Sequence, residues 1–123
     1  MVNQQMIGDR ETRLSPEDLA ALRDNLLEQR VFREEQLRQI TAVPSRADDR
    51  RRRRSAAQTE VRVQLAASAR MVLADVEAAL DRMAEGRYGS CHLCRRPIAR
   101  ERLAIVPQAR YCARCQQVRE AGR

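Results

Sequence analysis

Two stretches of this chain place apolar residues at steps of three and four, the spacing that puts them on one side of a helix. In the first, Leu19, Leu22, Leu26, Leu37 and Ile40 mark such a side, and Arg30 and Arg33 interrupt it. Ser15-Pro16-Glu17-Asp18 predicts where this helix starts. A serine side chain can accept from the free N–H groups of the first turn, proline suits the first helical position, and acids favour the positive end of the helix dipole. Pro44 predicts the stop, near Val43, because proline disfavours helix in the residue before it.

In the second stretch the spacing is more regular. Val61, Leu65, Ala69, Val72, Val76, Ala79 and Met83 form one seam, a seven-residue repeat from Leu65 onward, and Ala66, Leu73 and Leu80 widen it. Gly86 is the expected stop. Ser55 with Gln58 is the better start, and Ser45 with Asp48 a weaker one. Residues 16–43 and 57–85 would each span roughly 42–44 Å at about 1.5 Å per residue. Two amphipathic helices of equal length, joined by a short polar segment, predict a long antiparallel hairpin. Its turn falls at residues 44–56 and carries Asp48, Asp49, Arg50, Arg51, Arg52, Arg53 and Arg54.

From Arg87 the character changes. Cys91 and Cys94 form one C-x2-C pair, and Cys112 and Cys115 form another after seventeen residues. Two residues between thiols let both sulfurs of a tight knuckle face one point, and two knuckles supply the four soft ligands of a tetrahedral zinc ion. The competing reading, two disulfides, needs an oxidising compartment, and nothing in the chain suggests export. His92, the only histidine, lies inside the first knuckle, but four thiolates already close a structural shell. Ile98, Leu103, Ile105 and Val106 are expected to pack over the metal, and a short helix is expected from about Ala113. The fold class is thus mostly α. A leader covers residues 1–14, the hairpin residues 15–86, and a four-cysteine zinc-finger module with a short C-terminal helix residues 87–123.

Composition sharpens this picture. Phe32, Tyr88 and Tyr111 are the only aromatics, so a large core is not expected, and a metal would serve as the staple a small module needs. No segment approaches the ~20 apolar residues of a membrane span, and a cytoplasmic protein is the expectation. Every basic residue is arginine. Residues 1–86 hold 15 arginines and 15 acids, whereas residues 87–123 hold 9 arginines against Glu101 and Glu120, a net +7. Four thiolates and one Zn2+ bring that to +5. A basic end attracts nucleic acid or acidic proteins, although an arginine-only composition also fits plain solubilising charge. A closed thiolate shell has no open position for substrate, and no Gly-rich phosphate loop or histidine triad is present, so no enzyme is expected.

The segment Gly86-Arg-Tyr-Gly-Ser-Cys91-x-x-Cys94, with Ile98, Arg102-Leu103, Pro107 and Cys112-x-x-Cys115, resembles the zinc-finger region of the DksA/TraR family. The resemblance implies a hairpin that enters the secondary channel of bacterial RNA polymerase and modulates initiation, a zinc module at the channel rim, and in many members joint action with ppGpp. Two departures stand out. Counting back from Cys91 without gaps, the family's acidic tip pattern falls on Asp48, Arg51 and Arg53, so the tip has become mostly cationic. The family's basic residues for ppGpp fall on Asp75, Val106 and Gln116, none of them cationic. The nucleotide site is therefore not expected. The alternative reading is a basic, zinc-containing nucleic-acid-binding protein, contacting DNA or the ribosome through the arginine run or the C-terminal module. Few aromatics are available to stack on bases, which weighs against RNA or single strands.

Overall fold

The computed structural model describes residues 13–42 and 56–122. The turn residues Asp48 to Arg54 and most of the leader lie outside them. Four helices follow one another: α1 (Pro16–Thr41), α2 (Ala56–Ala84), α3 (Arg100–Ile105) and α4 (Ala113–Ala121).

The start of α1 is built as its sequence predicts. The Asp18 N–H donates to Ser15 Oγ at 3.0 Å, and the Ser15 N–H donates back to Asp18 Oδ2 at 3.0 Å, so two orphan donors are satisfied reciprocally. The helix ends at Thr41, two residues before the expected Val43. Ala42 is already extended, and the Thr41 hydroxyl donates to the Leu37 carbonyl at 2.7 Å. At the end of α2, Gly86 takes φ +74°, which costs glycine little. The Arg87 N–H reaches the Arg82 carbonyl (2.8 Å) and the Gly86 N–H the Met83 carbonyl (3.1 Å). Those are the two bonds of a Schellman motif, and they turn the chain toward the cysteines.

α1 and α2 pack against each other in antiparallel. At one level Leu26 meets Val76 and Ala79. At the far level Ile40 and Thr41 share a groove with Val63 and Ala66. The seam differs from the sequence expectation in that outer half. Ala66 is buried, whereas Val61 and Leu65 are 54% and 48% exposed. Positions 65 and 66 both lie near the seam. The smaller alanine lets the helices approach, and the bulkier leucine is left on the flank. Leu19 is also more exposed than its spacing implied. The outer half therefore buries only alanine fully, and its interior is partly polar. Arg33 is half-buried there and bonds to Gln36 Oε1 at 2.9 Å. No helix among the described residues is long and apolar enough to cross a membrane.

Candidate metal centre

The zinc module is built on the base of the hairpin. Leu22 of α1 is buried in one cluster with Cys91, Ile98, Leu103 and Ala109, and Leu14, Met83, Tyr88, Val106 and Tyr111 pack around it. Tyr88 also touches the neighbouring Leu26–Val76–Ala79 cluster, so it joins the two cores. Its hydroxyl donates to the Pro107 carbonyl at 2.7 Å. Ile105 is a correction to the sequence reading: it is 81% exposed, because α3 turns Leu103 inward and Ile105 out. α3 itself was not legible. It has six residues, and Ala99 offers no capping side chain.

The first knuckle is a tight reversal. The Ile98 N–H reaches the Gly89 carbonyl, the Cys91 N–H the Arg96 carbonyl, and the Arg95 N–H the Cys91 carbonyl, at 2.8, 2.8 and 3.0 Å. Gly89 sits at φ +97°, where a side chain would be strained and its Cβ would press Leu14 Cδ1 at 3.2 Å. The second knuckle opens α4. Cys112 is its N-cap, with Sγ accepting from the Cys115 N–H at 3.4 Å. The His92 N–H to the Arg110 carbonyl (2.8 Å) ties one knuckle to the other.

The result brings together all four predicted cysteines, with sulfurs within 4.8 Å of one another. Cys94 and Cys112 Sγ are 3.9 Å apart. Sulfurs held at about 2.3 Å around a tetrahedral ion would be about 3.8 Å apart, so the donor set fits zinc. The thiols differ in how readily they ionise. Burial opposes a Cys91 thiolate, but N–H groups of Cys94, Cys112 and Leu93 outweigh it and hold the thiol down to about 6. Cys115, sharing protons with Cys112 and the other sulfurs, is pushed up to about 12. One structural zinc ion is the cofactor of this module. Four thiolates leave it no open coordination position. His92 lies at the surface, edge-on to Tyr111 with centroids 6.0 Å apart. Burial, then Arg82, Arg110, Arg95 and Arg87, hold its pKa below the usual imidazole value.

Comparison with known proteins agrees with this geometry. Residues 86–121 match the prokaryotic dksA/traR C4-type zinc finger. The structure of transcription factor DksA2 from Pseudomonas aeruginosa is similar over 87% of this chain and 86% of that one, with a TM-score of 0.65 and 26% identity. Residues 86–121 thus carry a zinc finger of the dksA/traR type, in a chain whose fold is similar to that of DksA2. An uncharacterised protein of Aquifex aeolicus is 38% identical over 52 residues, which is 41% of this chain and 36% of that protein. The chain thus matches only about a third of the length of that relative.

Long-range polar contacts that the sequence did not reveal fix this DksA/TraR-type finger to both helices. Arg100 bonds Asp18 at 3.1 Å on α1, and Arg110 bonds Asp75 at 2.7 Å on α2. The Asp18 carboxyl is held below its ordinary value by the Ser15 N–H first and then by Arg100. These partners are 82 and 35 residues apart, so no local pattern announces them. Arg82 is the other surprise, an arginine only 7% exposed. Asp75, Val106 and Gln116 do converge, lining one groove beside Arg110, Tyr111 and Arg119. These three positions are therefore neighbours in space.

Tyr88 gives the first testable expectation. Burial pushes its pKa up to about 12. The neutral phenol is favoured in the folded state, so this stabilisation is complete below the ordinary value of 10.0 and is lost as pH rises toward about 12. Tyr88→Phe should cost about 0.5–1.5 kcal/mol at neutral pH by removing the bond to Pro107. It should also flatten the fall in stability across the alkaline window. Urea denaturation of both proteins over that window checks it.

Proposed function

We propose that this protein is a transcription regulator that binds bacterial RNA polymerase directly, placing its hairpin in the secondary channel to modulate initiation. In this reading residues 15–86 reach inward with the tip residues Asp48 to Arg54 leading, and residues 87–123 hold the rim. The four cysteines retain the zinc, and the protein works in the cytoplasm without catalysing a reaction. The observation that carries the reading is the similarity to a structure described as a transcription factor over nearly the whole chain, hairpin included. The physical support is the double tie at the base, which keeps the hairpin aimed.

The same reading excludes the family's ppGpp site. Three groove positions lack positive charge, Arg110 is engaged by Asp75, and Arg119 lies over the Tyr111 ring at 4.6 Å. A polyphosphate needs several charge-assisted partners at once.

The test is a pull-down of RNA polymerase with the native protein, paired with transcription from purified components. A variant with Arg50 to Arg54 changed to alanine should keep association and lose the transcriptional effect. Absence of polymerase binding by the native protein would end the proposal. A saturable ppGpp response that requires this protein would end its second part.

A further inference from the structure

The two knuckles carry three guanidinium groups that no acid among the described residues answers. Arg95 and Arg96 directly follow Cys94, and Arg114 lies between Cys112 and Cys115. All three are exposed. Because Cys94 and Cys112 Sγ are 3.9 Å apart, the residues beside them share one end of the module. Most other arginines nearby are committed. Arg87 pairs with Glu85, Arg100 with Asp18 and Arg110 with Asp75, Arg102 donates to the Tyr111 carbonyl, and Arg119 covers the Tyr111 ring. Among the described residues, no hydrogen bond or ion pair engages the side chains of Arg95, Arg96 or Arg114.

Arg95 adds a second observation. It holds φ 65°, the one non-glycine residue at positive φ among those described. That conformation costs an L-residue roughly 1–2 kcal/mol, and glycine would avoid the cost. A solvated charge can sit anywhere on a surface, whereas a strained position that keeps its side chain points to a use for it.

We propose that this end of the zinc module docks on the phosphate backbone of duplex nucleic acid. Guanidinium forks match phosphate oxygens and lose little freedom on binding. A duplex presents the densest regular array of such groups. The one exposed ring of the knuckles is the His92 imidazole, set edge-on to Tyr111, so unpaired bases find little to stack on and single strands gain less. Contacts of this kind position a protein without reading sequence. The metal matters because it holds the two knuckles, and so Arg95, Arg96 and Arg114, at one end of the module.

The experiment uses the zinc-loaded full chain and a short fluorescent duplex DNA, read by anisotropy across a salt series. Changing Arg50 to Arg54 to glutamine first removes any contribution from the hairpin tip. In that variant the log–log salt slope should be about −2.7, for three phosphates neutralised. Adding R95Q, R96Q and R114Q should weaken binding at low salt by about tenfold or more and bring the slope toward zero. Zinc content and circular dichroism should be unchanged, which separates lost contacts from lost folding. Three results would overturn the proposal: no binding at low salt, binding lost with the tip arginines but not with the knuckle arginines, or competition by polyglutamate as effective as by unlabelled duplex. The last would assign the face to an acidic protein. Polymerase association does not enter this measurement, so its outcome is separate from the proposal above.

Discussion

Stripping the zinc with a chelator is expected to unfold residues 87–121 and leave most of the hairpin helical. The module has little else to hold it. α3 and α4 have six and nine residues, well below the length at which isolated helices persist in water. Outside the helices, the described residues show a single isolated bridge, between Ser90 and Pro97. Structural zinc contributes on the order of 10–16 kcal/mol to modules of this kind, more than the whole stability of many domains. The hairpin keeps Leu26, Val76 and Ala79, whose cluster holds no cysteine. Its base should fray, because Leu22 is buried against Cys91, Ile98 and Leu103. Hydrogen exchange before and after chelation should show protection lost over 87–121 and around Leu14 to Leu22, and kept near Leu26 and Val76. Unchanged protease resistance of the C-terminal part after metal removal would contradict this account.

Leu26→Ala is expected to be the most costly single truncation in the hairpin. The side chain is fully buried at the one level where both helices contribute fully buried residues. Deleting it removes transfer free energy and leaves a cavity that two rigid helices cannot close, at a cost of about 2–5 kcal/mol. Leu65→Ala, by contrast, should fall near ±0.5 kcal/mol, since that leucine is about half exposed. Urea denaturation followed by circular dichroism, with zinc saturating, measures both. Equal losses at the two positions would show that the outer half is packed through Leu65 after all.

The contrast between those leucines shows what was legible in the sequence. Features set by local chemistry were read correctly: the Ser15 cap, the Gly86 stop, the start of α4 at Ala113 and the convergence of four cysteines. Each depends on residues a few positions apart, or on a ligand count that a single tetrahedral ion satisfies. Features set by the neighbouring helix were not. The apolar spacing fits a seam through Leu65 as well as one through Ala66, and the choice falls to how closely α1 approaches. Ile105 reads as core until α3 exists, and α3 exists because Leu103 finds Leu22, a partner far away in sequence. The ties Arg100–Asp18 and Arg110–Asp75 and the burial of Arg82 likewise require the assembled base. The clustering of the four cysteines was thus readable, while the means of attaching them to the hairpin were hidden.

That attachment sets the pointing accuracy of the molecule. A helix of 26 residues is about 39 Å long, so a 5° swing about its base displaces the far end by roughly 3 Å, about the length of a hydrogen bond. The Schellman turn at Gly86 alone would leave such a swing open. Two ties to the finger, one through Asp18 and one through Asp75, restrain it in two directions alongside the buried Leu22 cluster. Severing either clamp would therefore be felt as blurred aim at the distant end, with the metal still bound and the helix content unchanged.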